Sequence, residues 1–307
     1  MNFRTEIKIE PAPFSLHHKS KVMMVGSCFS ENIGAKLERY RFDVKINSHG
    51  IVFNPQSVLT ALKEVVSNHR YHTHQLRHNG SHYVSLHHHG RFNHTDAQQM
   101  VENINRELDS FHQHLHQCDV LLVTFGSAWA YIWKEDQQIV ANCHKIPQHH
   151  FDKKLLHHDE IFAAWSQFLE ELQSFNHRLQ IVFSISPVRY WRDGVIENQV
   201  SKAQLILAVH ALVKQFNHVH YFPAYELVLD DLRDYRFFKE DMLHPNELAI
   251  EYVWEKFCSW CMLQETRTLL DQMEPHLRFL EHRPLHPDAT YEKLRQKKEA
   301  LIARLLS

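Results

Sequence analysis

The run Lys21-Val22-Met23-Met24-Val25, which ends in the small turn Gly26-Ser27, is the stretch that indicates the fold. Two further runs of the same buried type follow at 119–125 and 180–185, and helical patterns separate all three. Continuous apolar strands between helices are typical of a parallel sheet covered on both faces. The sequence therefore predicts a three-layer α/β/α sandwich around a central parallel sheet.

The remaining elements follow from the spacing of apolar residues. Helices are predicted at 31–40, 55–67, 96–116, 161–175, 201–216 and 245–262, short strands at 44–46, 139–142 and 220–222, and a small hairpin at 82–87. From about residue 263 the chain changes to charged amphipathic helices, at 268–280 and 291–306. We expect a main domain over residues 1–262 and accessory C-terminal helices over 263–307.

Composition narrows the possible classes of function. The chain has 307 residues and a net charge of −2, so no global field favours nucleic acid or an anionic membrane. No stretch is apolar enough to span a bilayer, and the N-terminus has no signal-like apolar core. The five cysteines are scattered, which argues against a disulfide framework. We expect a cytoplasmic protein, and we interpret its 28 histidines as compositional bias.

Cofactor and metal motifs are missing from the sequence. The seven glycines form neither a dinucleotide fingerprint nor a phosphate-binding loop. The triplet His87-His88-His89 is interpreted as a polar strand or loop. Cys258 and Cys261 lie in an apolar helical pattern without a second pair at zinc-like spacing, so core packing is the better interpretation. We expect no metal and no organic cofactor.

Ser27 is the first candidate for chemistry. A serine between a strand and a helix exposes its hydroxyl at the edge of the sheet, and its own amide, at the positive end of the helix, can stabilise an oxyanion. The alternative is a serine that only caps the helix, and Ser30 is an equally good candidate for that cap. Cys28 is interpreted as a small packing residue.

Asp241 and His244 are the second candidates. A spacing of three residues brings both side chains to one side if the segment turns, and Pro245 holds His244 extended. Asp241 would then accept one ring proton and fix the tautomer of the imidazole. The alternative is a helix-entry aspartate beside one more histidine.

Several polar residues are candidates for binding an oxyanion or a substrate. The amide of Gly50 would follow the second strand, although an ordinary turn glycine fits equally well. Asn54 precedes a proline, where a turn role is common. Asn142, Cys143 and His144 bring together an amide, a thiol and an imidazole, but neighbours on a strand point apart.

These segments together resemble a known family. Its blocks are matched in order over about residues 5–260: Gly26-Ser27-Cys28-Phe29, Asn47-Ser48-His49-Gly50-Ile51-Val52-Phe53-Asn54-Pro55, Phe125-Gly126-Ser127-Ala128-Trp129, Asn142-Cys143-His144-Lys145-Ile146-Pro147, Ser186-Pro187-Val188-Arg189, Ser201-Lys202 and Tyr235-Arg236-Phe237-Phe238 leading to Asp241-Met242-Leu243-His244-Pro245. The chain resembles the GSCFA domain family, which is similar to the SGNH/GDSL hydrolases.

The resemblance implies a flavodoxin-like fold and an SGNH-type esterase site. Ser27 would be the nucleophile, Asp241 and His244 the acid–base pair, and Gly50 the oxyanion glycine of the second block. SGNH enzymes have Gly-x-Asn-Asp in the third block, whereas Gly126 here is followed by Ser-Ala-Trp. Asn142 or Asn54 would have to replace the missing asparagine, and Asn142 is favoured, with His144 beside it.

The expected function is that of a serine esterase which removes a small acyl group, such as acetyl, from a carbohydrate-like substrate. An acyltransferase using the same site is one alternative. A ligand-binding module that keeps the fold without efficient chemistry is the other, and the missing asparagine supports it. The sequence gives no oligomeric state.

Overall fold

The computed structural model describes residues 5–282, 284–285 and 288–306. Its elements, in chain order, are β1 (Lys21–Gly26), α1 (Cys28–Arg39), β2 (Asp43–Ile46), α2 (Pro55–Val66), β3 (Arg77–His78), β4 (Tyr83–Val84), α3 (Ala97–Leu115), β5 (Val120–Phe125), β6 (Trp129–Trp133), β7 (Gln138–Val140), β8 (Phe151–Leu155), α4 (His158–Phe175), β9 (Gln180–Ile185), α5 (Val195–Gln215), β10 (Val219–Phe222), α6 (Ala224–Glu226), α7 (Glu247–Cys261), α8 (Gln264–Glu281) and α9 (Ala289–Leu305).

The central sheet has the strand order β2-β1-β5-β9-β10, and every neighbouring pair is parallel. If these five strands are numbered in chain order, they lie side by side in the order 2-1-3-4-5, which is the flavodoxin-like arrangement. Gly26 lies opposite Thr124, and Phe125 lies opposite Ile185, so β1, β5 and β9 end at one edge. The predicted three-layer α/β/α fold is confirmed, and we call this edge the sheet rim.

The two faces of the sheet are buried by different helices. Met23 and Val25 face a core built with α2, α3, α4 and α5, while Val22 and Met24 face a core shared with α1, α7 and α8. Because side chains alternate along a strand, residues 22–25 of β1 must all be apolar to fill both cores. This requirement explains the strand runs from which the fold was predicted.

Several predicted bounds differ from those in the structure. Helix α7 begins at Glu247, because Asn246 caps it by accepting a hydrogen bond from the Ala249 amide at 3.2 Å, so Pro245 lies before the helix. The small hairpin pairs β3 with β4 and does not span 82–87. Helix α5 begins at Val195, six residues before the predicted start.

A second sheet was not predicted. Strands β7, β6 and β8 form an antiparallel three-stranded sheet that directly follows β5. It lies beside the rim and contributes to a groove described below. Among the described residues, no helix combines the length and the apolar character that crossing a bilayer requires.

Candidate active site

The turn between β1 and α1 places Ser27 on the sheet rim. Gly26 has a φ of +140°, and a Cβ there would come within 2.2 Å of the Thr124 carbonyl oxygen, so only glycine fits. The Ser27 amide donates to the same carbonyl at 3.1 Å. The close approach of β1 and β5 therefore fixes where the serine leaves the strand.

Ser27 is also the N-cap of α1. Its Oγ accepts a hydrogen bond from the Phe29 amide at 3.3 Å, which is long for such a bond, and the side chain is almost fully buried. The capping role and the position at the rim thus coexist in one residue. The hydroxyl of Ser30, the alternative cap, is buried without a hydrogen-bond partner among the described residues.

Asp241 and His244 form a hydrogen-bonded pair. Asp241 Oδ2 lies 2.6 Å from His244 Nδ1, and Asp241 Oδ1 accepts from the amides of Leu243 and His244 at 2.9 Å each. These amide bonds, together with the imidazole, lower the pKa of Asp241 to about 2. The carboxylate is therefore charged at any ordinary pH, and with Nδ1–H donating to it, His244 Nε2 is left as an acceptor.

The imidazole and the start of α1 face the same space. A cavity of about 110 Å³ at the rim is lined by both elements, and we call it the rim cavity. Its lining includes Cys28, Asn32, Pro187, Val188, Lys239 and His244. Residues more than two hundred positions apart in the sequence are thus brought to one cavity, and Cys28 is the direct neighbour of Ser27.

Two predicted oxyanion groups, the amides of Gly50 and Ser27, already donate hydrogen bonds to backbone carbonyls. The Gly50 amide donates to the Asn47 carbonyl at 2.8 Å in a turn where Gly50 has a φ of +75°. The Ser27 amide is likewise paired, with Thr124. Neither amide is free to bind an oxyanion in this structure, because each already donates to a backbone carbonyl.

Asn54 is the N-cap of α2. Its Oδ1 accepts from the Ser57 amide and its Nδ2 donates to Ser57 Oγ, both at 2.8 Å, at the start of α2. The side chain is buried, so both ends of its amide are committed to the helix terminus. The turn role considered for this residue is close to what the structure shows.

Asn142 and His144 lie away from the rim cavity, in a larger groove. This lateral groove, of about 540 Å³, is lined by residues that include Phe53, His89, Tyr131, Asn142, His144, Lys145, Tyr190 and Arg192. Asn142 Oδ1 accepts from the His144 amide at 2.9 Å, and His144 Nε2 lies 2.7 Å from the Ser85 carbonyl oxygen. Burial lowers the pKa of His144. The structure groups the two residues with each other and not with His244.

The segment from β1 through most of α7, residues 21–257, matches the model of the GSCFA family. The chain belongs to the GSCFA family. No curated protein sequence matches it. Two solved structures with weak likeness are a carbohydrate esterase family 3 protein from Talaromyces cellulolyticus, with 7% identity and a TM-score of 0.36, and a family 3 carbohydrate esterase from Clostridium thermocellum, with 13% identity and a TM-score of 0.35. The alignments cover 83% and 86% of this chain, and 99% and 100% of the other chains.

Lys202 belongs to one of the matched blocks of this GSCFA protein, but no role was predicted for it from the sequence. It is only 1% exposed, and its Nζ donates to the carbonyls of Gly126 and Ser186 at 2.6 Å each. These carbonyls directly follow β5 and β9, so the ammonium ties two strand ends together at the rim. Burial lowers the pKa of Lys202 to about 7. The neighbouring Ser201 Oγ accepts from the Ala128 amide at 2.8 Å.

A buried polar network supports the loop that contains Gly50 in the GSCFA fold. Glu64 of α2 lies 2.7 Å from His49 Nε2 and 3.0 Å from His87 Nδ1, and Tyr71 donates to it at 2.9 Å. Burial alone would raise the pKa of Glu64, but the hydrogen bonds from the two imidazoles hold it well below its usual value.

The next histidine, His88, stacks on His49 at 4.3 Å. Burial lowers the pKa of His88 far below that of a free imidazole. Two of the three histidines in the triplet therefore have structural partners within this network. Among the described residues, no group of three His, Cys, Asp or Glu side chains is arranged to hold a metal ion.

Proposed function

We propose that this protein is a serine hydrolase that cleaves a small acyl ester, such as an acetyl ester, on a carbohydrate-like substrate. The observation that carries the proposal is the tight Asp241–His244 pair at a cavity shared with the first turn of α1, where Ser27 is the cap. The match to the GSCFA family, over residues 21–257, covers all three residues. A nucleophile, a base and an orienting carboxylate are the minimum set for this chemistry.

In the proposed reaction His244 Nε2 takes the proton of Ser27 as its Oγ attacks the ester carbonyl. Asp241 stabilises the imidazolium through the bond to Nδ1, and the imidazolium then protonates the leaving alkoxide. Water, activated by the same imidazole, releases the acyl group from Ser27. The exposed pair of His244 and Asp241, whose side chains are 46% and 45% accessible, is open to solvent for this second step.

The oxyanion would be held by the N-terminus of α1. The amides of the first helical turn have no partner within the helix, and the helix dipole favours negative charge there. Cys28 provides one of these amides. The Phe29 amide, which donates to Ser27 Oγ at 3.3 Å, becomes a second donor when the Oγ turns to attack. These two donors replace the amides of Ser27 and Gly50, which are already paired.

Labelling with a fluorophosphonate, together with turnover of an aryl acetate, tests the proposal. We expect one adduct per chain, on Ser27, and none in S27A, whose turnover should fall by roughly 10³-fold or more. S30A is the matched control, because it removes a buried hydroxyl from the same helix, and it should be labelled like wild type. Turnover of S27A at the wild-type rate would contradict the proposal.

Added alcohols separate transfer from hydrolysis, since a transferase would form new esters with them.

A second candidate function is that of a ligand-binding module. The pairing of the Ser27 and Gly50 amides, and the absence of a third-block asparagine after Gly126, favour it. Such a protein would bind its ligand at the rim without forming an adduct. Absence of labelling in folded wild-type protein would support this function over catalysis.

A further inference from the structure

The lateral groove has the dimensions and chemistry of a binding site, and no role has been assigned to it. Its volume of about 540 Å³ is within the range of ordinary small-molecule sites. Four phenyl and phenol rings line it, those of Phe53, Tyr131, Phe151 and Tyr190, and the rings of Phe53 and Tyr190 lie 6.3 Å apart. Flat rings in a groove of this size offer a surface on which a sugar ring can pack.

The groove is positively charged. Arg192 and Lys145 line it, and no Asp or Glu is among the described lining residues. The nearby carboxylate of Asp193 is paired with Lys153 on β8. Arg192 instead lies beside the hydroxyls of Tyr190 and Tyr131, and a hydrogen bond with Tyr190 raises its pKa. Neither Arg192 nor Lys145 forms an ion pair with a described carboxylate, so both charges are available to a ligand.

The backbone beneath Lys145 is held in an unfavourable conformation. His144 and Lys145 are consecutive non-glycine residues with φ of +47° and +60°. Non-glycine residues rarely adopt this conformation, and it persists only where neighbours enforce it. The bonds from Asn142 to His144, and from His144 to Ser85, enforce it here. The loop is therefore built to hold Lys145 at the groove.

The groove and the rim cavity are connected by one short segment. Pro187 and Val188 line the rim cavity, whereas Tyr190 and Arg192 line the groove. The Cα atoms of Val188 and Tyr190 can be at most about 7 Å apart. On the other side, the carbonyl of Phe53 accepts from the Gly126 amide at 2.7 Å, so the groove reaches the rim itself.

We propose that the lateral groove binds a carboxylated sugar unit adjacent to the sugar that carries the ester. The unit packs against Tyr190 and Phe53, and its carboxylate pairs with Arg192 and Lys145. A planar guanidinium beside aromatic rings suits a carboxylate, because it can donate two parallel hydrogen bonds. This inference rests on the proposed ester hydrolysis, and it specifies in addition that the substrate carries a negative charge.

Calorimetric binding to S27A tests the inference without requiring turnover. Three ligands are compared. The first is an acidic oligosaccharide built of uronic acid units, and the second is the same chain with its carboxyl groups reduced. The third is a chain of equal length whose sugars have no carboxyl groups but carry sulfate groups. We expect the acidic ligand to bind at least about tenfold more tightly than the reduced one, and R192Q in the S27A background to abolish most of that difference. R178Q is the matched control, since Arg178 is exposed and precedes β9 at the opposite end of the sheet.

The outcomes separate this inference from the proposed function. Equal binding of the acidic and reduced chains, or tighter binding of the sulfated chain, would overturn the carboxylate assignment even if Ser27 is labelled by a fluorophosphonate. Selective binding of the acidic chain with loss in R192Q supports the groove assignment, even if Ser27 proves unreactive and hydrolysis is abandoned. If R178Q loses as much of the preference for the acidic ligand as R192Q does, the inference is also overturned. The preference would then depend on the net charge of the protein and not on Arg192 in the groove.

Discussion

The sheet rim contains one buried ammonium group, that of Lys202. Lys202 donates to the carbonyls that follow β5 and β9, and these bonds compensate part of the cost of burying its charge. The remaining cost appears as the lowered pKa of about 7. An unfolded lysine has a pKa of about 10.4, so between these two values the unfolded chain binds a proton that the folded chain has released. Folding is therefore less favourable near pH 7 than at higher pH.

We expect the free energy of unfolding of wild type to rise relative to K202M as the pH increases from 7.5 to 9.5. The slope should be on the order of 1 kcal/mol per pH unit, because one pKa unit corresponds to about 1.4 kcal/mol. Urea titrations at several pH values measure it. The control is K214M, because Lys214 is exposed on the same helix. Its free energy of unfolding should change with pH in parallel with that of wild type. Parallel curves for wild type and K202M would show that Lys202 keeps an ordinary pKa.

Among the elements, α2 is joined to the loop after β2 through one carboxylate, that of Glu64. Glu64 is bound by imidazoles from two different loops and by Tyr71, and these partners keep its pKa depressed. A carboxylate of this kind stabilises the fold above the pKa of about 4.3 that it has in the unfolded chain. That contribution is lost as the pH falls further towards the folded value.

E64Q should lower the free energy of unfolding at pH 7 by about 1–3 kcal/mol, because an amide placed among three donors leaves buried groups unpaired. The deficit should shrink below about pH 4, where the carboxylate of the unfolded wild-type chain becomes protonated. Chemical denaturation at pH 7 and at about pH 3 measures both. E171Q, on the exposed face of α4, is the control. A full-sized deficit at low pH would mean that Glu64 acts through packing and not through its charge.

Strands β1, β5 and β9 were predictable, because burial on both faces leaves a continuous apolar run. Strand β8 was not, since the sequence of Phe151–Leu155 is half polar and its partner β6 lies about twenty residues earlier in the chain. Its strand character comes from pairing and leaves little local signal. The lateral groove, which needs this second sheet, was therefore beyond sequence reasoning.

The candidate site shows the same division. Asp241 and His244 were identifiable because a spacing of three residues encodes their contact locally. The roles of Gly50 and Asn54 depend on which acceptors and donors their own turns provide, and this becomes visible only when those turns are built. Lys202 lies in a matched block, but its role could not be predicted because its partners are backbone carbonyls, which every residue has.

At the scale of the whole molecule, the C-terminal helices share a core with the helix that Ser27 begins. Leu270, Met273 and Leu277 of α8 are buried in the same hydrophobic cluster as residues of α1 and α7. Arg39, at the end of α1, pairs with Glu274 and Glu281 at 2.5 Å each. The predicted boundary at residue 262 thus separates elements that stabilise one another, and we expect α8 to unfold together with the sheet.

M273A tests that coupling. Removing a fully buried side chain should lower the free energy of unfolding by about 2–5 kcal/mol, in one transition seen alike by circular dichroism and tryptophan fluorescence. L285A, at a position that is 94% exposed, should differ from wild type by less than about 0.5 kcal/mol. Early melting of helical signal in M273A, with the fluorescence transition unchanged, would instead identify residues 263–307 as an independent unit. Because α8 braces the end of α1, cooperative loss would also mean that the position of Ser27 depends on helices that contribute no residue to the rim.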